Sequence, residues 1–274
     1  MYGEAKTPPV VLSVAGSDSG GGAGIQADLK AFGANGVFGT TAVTAITAQN
    51  TKGVSGIELV SAKMLEAQID AVTSDFALRA VKTGMLGSPE LLAVVARYAK
   101  RGELPRLVVD PVMVAASGDR LSSDDTTEAY RELLVPLAYV LTPNIYEAEL
   151  LSGMSITNLA EMVQAAKILH RLGVKYVYLK GGHLHGPESI DVFFDGVNVS
   201  HLRSKRVATS NVHGTGCTLS ASLAANLARG KPIDDAVRQA KVYTTQAIVG
   251  SSSWVLGHGA GPLDHFGWTR RQLP

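Results

Sequence analysis

One cysteine, Cys217, stands among 274 residues, so no intrachain disulfide can form and no multi-cysteine metal site can be built. Such usage suits a reducing compartment, and the cytoplasm is the expected location. Lysine and arginine number 25 against 24 aspartates and glutamates, with no basic tract and no acidic tail. Nucleic acid is therefore not an expected partner. No apolar run approaches the roughly 20 residues of a membrane-spanning helix, and Met1 to Pro9 is polar with two prolines, unlike a signal peptide. No membrane association is expected. Gly-Lys-Ser and Gly-Lys-Thr occur nowhere, which removes the P-loop at motif level. Gly22-Ala23-Gly24-Ile25-Gln26-Ala27 fits the dinucleotide fingerprint formally, but the acidic residue due about twenty positions later is missing between Thr40 and Asn50. A nicotinamide enzyme is disfavoured. There is no internal repeat and no linker, so residues 10–274 are expected to form one domain behind a flexible segment 1–9.

What is present is an alternation of short β-rich runs with helical patterns. Val10 to Ala15, Thr40 to Thr47, Ala80 to Thr83, Leu107 to Val109, Tyr139 to Leu141 and Tyr176 to Leu179 read as strands. Ala23 to Asn35, Ala62 to Phe76, Glu90 to Arg101, Asp124 to Leu134, Ile145 to Leu151 and Leu159 to Leu172 read as helices between them. Leu219, Leu223 and Leu227 at four-residue spacing predict another, closed by Arg229, Gly230 and Pro232. Val192 to Phe194 and Val197 to Leu202, around Asp195-Gly196, read as a hairpin. The implied fold is α/β: a doubly wound, mostly parallel sheet with helices on both faces and a small antiparallel addition near residue 190. Ligands in such folds sit beyond the carboxyl ends of the strands, where the polar, glycine-containing segments fall here.

The most informative of those segments is Asn211-Val212-His213-Gly214-Thr215-Gly216-Cys217, which runs into a small-residue helix. A glycine turn at a helix start presents unpaired N–H groups to a phosphate or developing anion. A thiol there would be biased toward thiolate, although a lone cysteine among Ala, Ser and Leu also reads as a small buried hydrophobe. Gly16 and the glycines after Asp18 permit close backbone approach, and Asp18 could accept a hydrogen bond from a substrate hydroxyl or amine. Asp110 ends an apolar strand, and Asn144 and Glu147 open a helix after another. Their oxygens suit Mg²⁺ and its waters, or else Asn144 is an N-cap and Glu147 its capping-box partner. Lys180-Gly181-Gly182-His183 is either a phosphate or nucleotide contact or a solvated turn.

Taken in order, Ala15-Gly16-Ser17-Asp18 with its glycines, Ala48-Gln49-Asn50-Thr51, Lys82-Thr83-Gly84-Met85-Leu86 and Asp110-Pro111-Val112-Met113 form one half of a series. Thr142-Pro143-Asn144 with Glu147, Lys180-Gly181-Gly182-His183 and His213-Gly214-Thr215-Gly216-Cys217 form the other. Together they resemble the hydroxymethylpyrimidine/phosphomethylpyrimidine kinases of the ribokinase superfamily, over nearly the whole chain. The resemblance implies ATP- and Mg²⁺-dependent phosphorylation of 4-amino-5-hydroxymethyl-2-methylpyrimidine, then of its monophosphate, in thiamine biosynthesis, by a homodimer. It implies that Gly214, Thr215 and Gly216 form the anion hole, with Cys217 nearest the substrate hydroxyl. It also implies that Lys180 and Asn144 contact the nucleotide and that Asp110, Asn144 and Glu147 hold Mg²⁺. Gln49 would read the aminopyrimidine edge, with Gly16, Asp18, Met85 and Val112 completing the substrate pocket. Val212 stands where that family commonly carries threonine. Residues 114–120, small and polar with Gly118 as a hinge, are expected to act as a flap over the site. A pyridoxal kinase shares nearly all this chemistry and is the alternative. A cysteine-nucleophile hydrolase is disfavoured, because His213 across a glycine turn is not evidently placed to take the Cys217 proton. A non-catalytic pyrimidine-binding module would leave the full series of motifs unexplained.

Overall fold

The computed structural model describes residues 7–113 and 123–269. Among the described residues nine strands share one sheet, in the order β3-β2-β1-β4-β5-β6-β7-β8-β9. They are β1 Val10–Asp18, β2 Phe38–Asn50, β3 Gly53–Leu59, β4 Leu78–Thr83 and β5 Leu107–Val109, continuing with β6 Val140–Leu141, β7 Tyr176–Leu179, β8 Glu188–Phe194 and β9 Val199–Lys205. The helices are α1 Gly24–Ala34, α2 Ala62–Thr73, α3 Pro89–Lys100 and α4 Asp124–Ala129, followed by α5 Ile145–Ser152, α6 Leu159–His170, α7 Thr215–Ala228 and α8 Ile233–Ser251. From β2 through β7 every neighbouring pair is parallel, and only β2/β3, β7/β8 and β8/β9 run antiparallel. The expected doubly wound sheet is therefore present.

Period-2 alternation divides the strand side chains between two apolar layers. Val11, Ala80, Val108, Val140 and Tyr178 pack with α1, α7 and α8 on one face. Leu12, Val14, Val81, Val109, Leu141 and Val177 pack with α2 through α6 on the other. Between Thr218 and Ala228 every residue of α7 is buried, which explains its Ala, Ser and Leu composition: larger side chains would push it off the sheet.

Three features depart from the sequence reading. The antiparallel part is not confined to residues near 190, because β3 adds a second antiparallel edge beside β2. The far hairpin turns over Asp195 to Asn198 rather than Asp195-Gly196, with Asp195 accepting from the Val197 amide, and Val197 lies in the turn at 84% exposure rather than in a strand. The longest helix, α8, has no counterpart among the expected elements, since its buried face is mostly small or polar: Ala236, Ala240, Lys241, Thr244, Ala247, Gly250 and Ser251. The expected flap at 114–120 lies outside the described residues.

Candidate active site

Strand order reverses at β1, with β2 on one side and β4 on the other, and this switch point opens a crevice at the carboxyl ends of the parallel strands. A cavity of about 630 Å³ lies there. It is lined by all the residues singled out from sequence: Gly16, Asp18, Gln49, Met85, Val112, Asp110, Asn144, Glu147, Lys180, Gly214, Thr215, Gly216 and Cys217. It continues past them over His183, Lys205, Arg206, Lys241, Thr244 and Ile248.

Gly214 caps α7 with φ +80°, and no side chain caps the helix. Thr215 N bonds back to Val212 O and Thr218 N to Gly214 O, which leaves the amides of Gly216 and Cys217 as the orphan donors of the first turn. A Cβ on Gly214 would run into the Gly22 carbonyl, so only glycine lets this turn lie against the first glycine-rich loop. Helix α1 also starts without a side-chain cap, and its Gly24 amide donates toward the Cys217 sulfur. Two helix N-termini thus converge on the thiol.

The expected bias toward thiolate is not what results. Burial pushes the Cys217 thiol up to about 11; the ammonium of Lys82 opposes this, whereas the carboxylates of Asp28 and Asp110 add to it. Desolvation of a half-buried sulfur beside two carboxylates outweighs the helix dipoles. Lys82 itself is fully buried, bonded at 2.9 Å to both oxygens of Asp28, which also accepts from Ser13 Oγ at 2.6 Å. The Lys82-Thr83-Gly84-Met85-Leu86 motif pointed to this lysine without giving it a role, and Asp28 carried no sequence signal because it sits inside α1, four residues beyond the last glycine of the loop motif.

Asp18 is held first of all by donors of the protein itself. Its carboxylate receives Gly20 N at 2.8 Å, Gly22 N at 3.0 Å, Ala23 N at 2.8 Å and His213 Nε2 at 2.9 Å. Three of these donors converge on Oδ2, and Gly20 N takes one site on Oδ1. Burial would raise this carboxyl, but His213 and the loop amides more than reverse it, so Asp18 is ionised and His213 Nε2 carries the proton. Asp18 shapes the glycine loop and ties it to the turn that opens α7.

Against the start of α7, Lys180 Nζ lies 2.7 Å from Asp110 Oδ1 and 3.8 Å from Glu147 Oε2. Ser220 Oγ donates to Asp110 Oδ2 at 3.0 Å from inside α7. Burial favours neutral Asp110, but Lys180 and then Lys82 hold its carboxyl below the ordinary range. Burial dominates at Glu147 and pushes it to about 7 despite Lys180. Asn144 and Glu147 form a closed capping box, Asn144 N to Glu147 Oε2 at 2.7 Å and Glu147 N to Asn144 Oδ1 at 2.9 Å. The capping alternative is thus the one realised, and Asn144 Oδ1 is committed to the backbone. Lys180 is not in a solvated turn: its side chain is 13% exposed and joins two buried carboxylates.

Gln49 reaches the cavity from a bulge in β2, and Met85 and Val112, both half-buried, line the same cavity. The far end of the cavity holds residues the sequence did not mark. Asp191 on β8 accepts from Lys241 Nζ at 2.8 Å, Tyr178 Oη at 3.0 Å and Gly181 N at 2.9 Å. Lys241 escaped notice because it belongs to α8.

An uncapped helix start set against a buried lysine and carboxylates, on a doubly wound sheet with antiparallel edges, is the arrangement of a ribokinase-like small-molecule phosphotransferase. The profile of the phosphomethylpyrimidine kinase family matches residues 18–264, and the chain belongs to that family. It is 51% identical to the hydroxymethylpyrimidine/phosphomethylpyrimidine kinase of Rhizobium meliloti over 262 residues, 94% of this chain and 97% of that one. The solved phosphomethylpyrimidine kinase of Clostridium difficile is similar at 43% identity and TM-score 0.78, covering 88% of this chain and 99% of that one. An ADP complex of Bacillus subtilis pyridoxal kinase superposes with TM-score 0.89 at 37% identity, covering 96% and 99%. Fold similarity alone does not separate the two kinase types, because the pyridoxal kinase is the better superposition and the weaker sequence match.

The raised thiol makes two outcomes testable together. Alkylation of Cys217 by iodoacetamide should climb with an apparent pKa near 11 rather than 9. Cys217→Ser, which keeps a neutral hydroxyl, should retain kcat within about tenfold, less than the 10²–10⁴ that a general base supplies. A low alkylation pKa with a larger loss of kcat would restore the thiolate.

Proposed function

We propose that this chain transfers the γ-phosphoryl group of ATP to the hydroxymethyl group of 4-amino-5-hydroxymethyl-2-methylpyrimidine and then to the resulting monophosphate, in thiamine biosynthesis. The observation that carries the reading is that one cavity is lined by both the Gln49 carboxamide and the uncapped start of α7. Thr47 Oγ1 lies 2.7 Å from Ser17 O and 3.0 Å from the Gln49 carboxamide oxygen. One hydroxyl proton cannot serve both acceptors, so the amide is best satisfied with its nitrogen turned to Thr47. Its oxygen then faces the exocyclic amine of the pyrimidine and its second N–H a ring nitrogen. Met85 and Val112 supply apolar walls for the ring.

The amides of Gly216 and Cys217, with the α7 dipole, stabilise negative charge on the transferring group, and Lys180 contacts the nucleotide phosphates. Phosphoryl transfer passes through a loose transition state that needs little nucleophile activation, so a neutral Cys217 is sufficient as a positioning contact for the hydroxyl. No group of three or more His, Cys, Asp or Glu side chains that could hold a metal ion occurs among the described residues. Two buried carboxylates, Asp110 and Glu147, suit Mg²⁺ held largely through water and nucleotide oxygens, with the Asn144 box orienting Glu147. Bound there, the ion would neutralise phosphate charge and favour the ionised form of Glu147, whose carboxyl burial pushes up to about 7. The ADP complex of the pyridoxal kinase relative supports ATP as donor.

Exposed Ile46, Ile57 and Leu59 on the β2–β3 edge support a homodimer, to be checked by sedimentation. No helix of the described residues is long and apolar enough to cross a membrane, and the free thiol suits the cytoplasm.

The test is direct. Purified protein with ATP, Mg²⁺ and the pyrimidine alcohol should yield both mono- and diphosphate, and loss of both products would end the reading. A higher kcat/KM for pyridoxal than for the pyrimidine would favour the second kinase type. Gln49→Leu should cost about 1–3 kcal/mol in pyrimidine recognition, roughly 5- to 150-fold in kcat/KM, with ATP binding preserved. An unchanged kcat/KM in folded Gln49→Leu would remove this residue from the specificity argument.

A further inference from the structure

Four segments distant in sequence close a hydrogen-bonded circuit beside the cavity. The glycine loop joins the β2–β3 turn through Ser19 Oγ, which lies 2.8 Å from both Gln49 N and Gln49 O. From that turn, Thr51 Oγ1 accepts His258 N at 3.2 Å and Gly259 N at 3.1 Å, and Thr51 O accepts Ala260 N at 2.9 Å. The next residue, Gly261, accepts His213 N at 3.0 Å. His213 returns to the glycine loop through Asp18 at 2.9 Å. Contact along the strap is close enough to exclude side chains: a Cβ on Gly259 would strike the Thr51 carbonyl, and one on Gly261 would strike the Asn211 side chain.

Neither Thr51 nor any residue of 257–261 lines the cavity. Their bonds instead set the separation of two things that do, Gln49 two residues before Thr51 and the anion-hole turn one residue after His213. A misplacement of about 1 Å between bound reactants can cost on the order of 10²-fold in rate. We propose that Thr51 is a positioning residue for phosphoryl transfer, acting through the strap 258–261 and His213 to hold the pyrimidine-reading hairpin in register with the anion hole. The proposal rests on the reading of Gln49 as the pyrimidine contact.

Thr51→Val keeps the β-branched shape and removes only the acceptor; the two amides it releases are exposed and can turn to water, so folding is preserved. It should lower kcat for the pyrimidine by about tenfold or more while the KM for ATP stays within about twofold. Thr51→Ser, which restores the hydroxyl, should recover kcat to within about threefold of the parent. Amide hydrogen exchange in the peptide containing His213 should be faster in Thr51→Val and parent-like in Thr51→Ser. Parent-like kcat and exchange in Thr51→Val, or an equal loss in Thr51→Ser, would overturn the positioning role. A parent protein that does not phosphorylate the pyrimidine overturns the underlying substrate reading instead.

Discussion

Gly214→Ala is expected to reduce kcat by on the order of 10²–10³-fold, the usual consequence of losing a donor from an anion hole. Two independent effects act at this position. The residue holds φ +80°, where an L side chain costs about 1–2 kcal/mol, and its Cβ would collide with the backbone carbonyl of Gly22 rather than with a side chain that could swing away. The turn must therefore lift from the glycine loop, carrying the Gly216 and Cys217 amides with it. Gly216 is different: its Cβ would come within 3.1 Å of Lys180 Nζ, a tight contact with a side-chain end rather than a collision with backbone, so alanine there should cost less. Circular dichroism would confirm folding, and steady-state kinetics with pyrimidine and ATP would rank the variants. Gly214→Ala with parental kcat would mean that the turn does not shape the phosphoryl site.

Lys180→Met should be nearly as damaging to turnover and more damaging to stability. Its ammonium is the nearest cation to Asp110 and Glu147, whose side chains are 1% and 2% exposed. Removing one partner of a buried ion pair leaves an uncompensated charge, at a cost of about 3–5 kcal/mol, and removing a cation from transferring phosphate costs on the order of 10²–10³ in kcat. The two effects can be separated. Lys180→Met combined with Asp110→Asn removes the stranded charge, so urea unfolding should show most of the stability regained while activity stays low. If the double variant recovers turnover, Lys180 acts only as a counter-ion in the fold.

The cavity wall was legible in the sequence to a degree set by backbone chemistry. Gly214 and Gly216 at a helix start, Lys180 after a strand and the Asn144–Glu147 spacing each announce local geometry, and each was found on the cavity. Where two chemistries share one spacing, the residues could not decide. Asn144 and Glu147 serve either a metal or a capping box, and the box became visible only with both hydrogen bonds at 2.7 and 2.9 Å. Asp18 reads as a substrate acceptor, and a sequence does not show that His213, 195 positions away, is among the donors that hold it. Helix α8 and strand β3 escaped for related reasons. The first buries small and polar residues, and the second is mostly exposed, so neither carries a strong apolar period.

The sequence by itself determined the alternation of strands and helices, the glycine turns and the family, because these depend on near neighbours in the chain and on motifs in a set order. Tertiary structure alone decided the charge state of Cys217, the partners of Asp18, Lys82 and Asp110, and the strap from Thr51 to His213. Those properties arise from desolvation and from hydrogen bonds between segments tens to hundreds of residues apart, and burial and proximity of that kind exist only once the chain has folded.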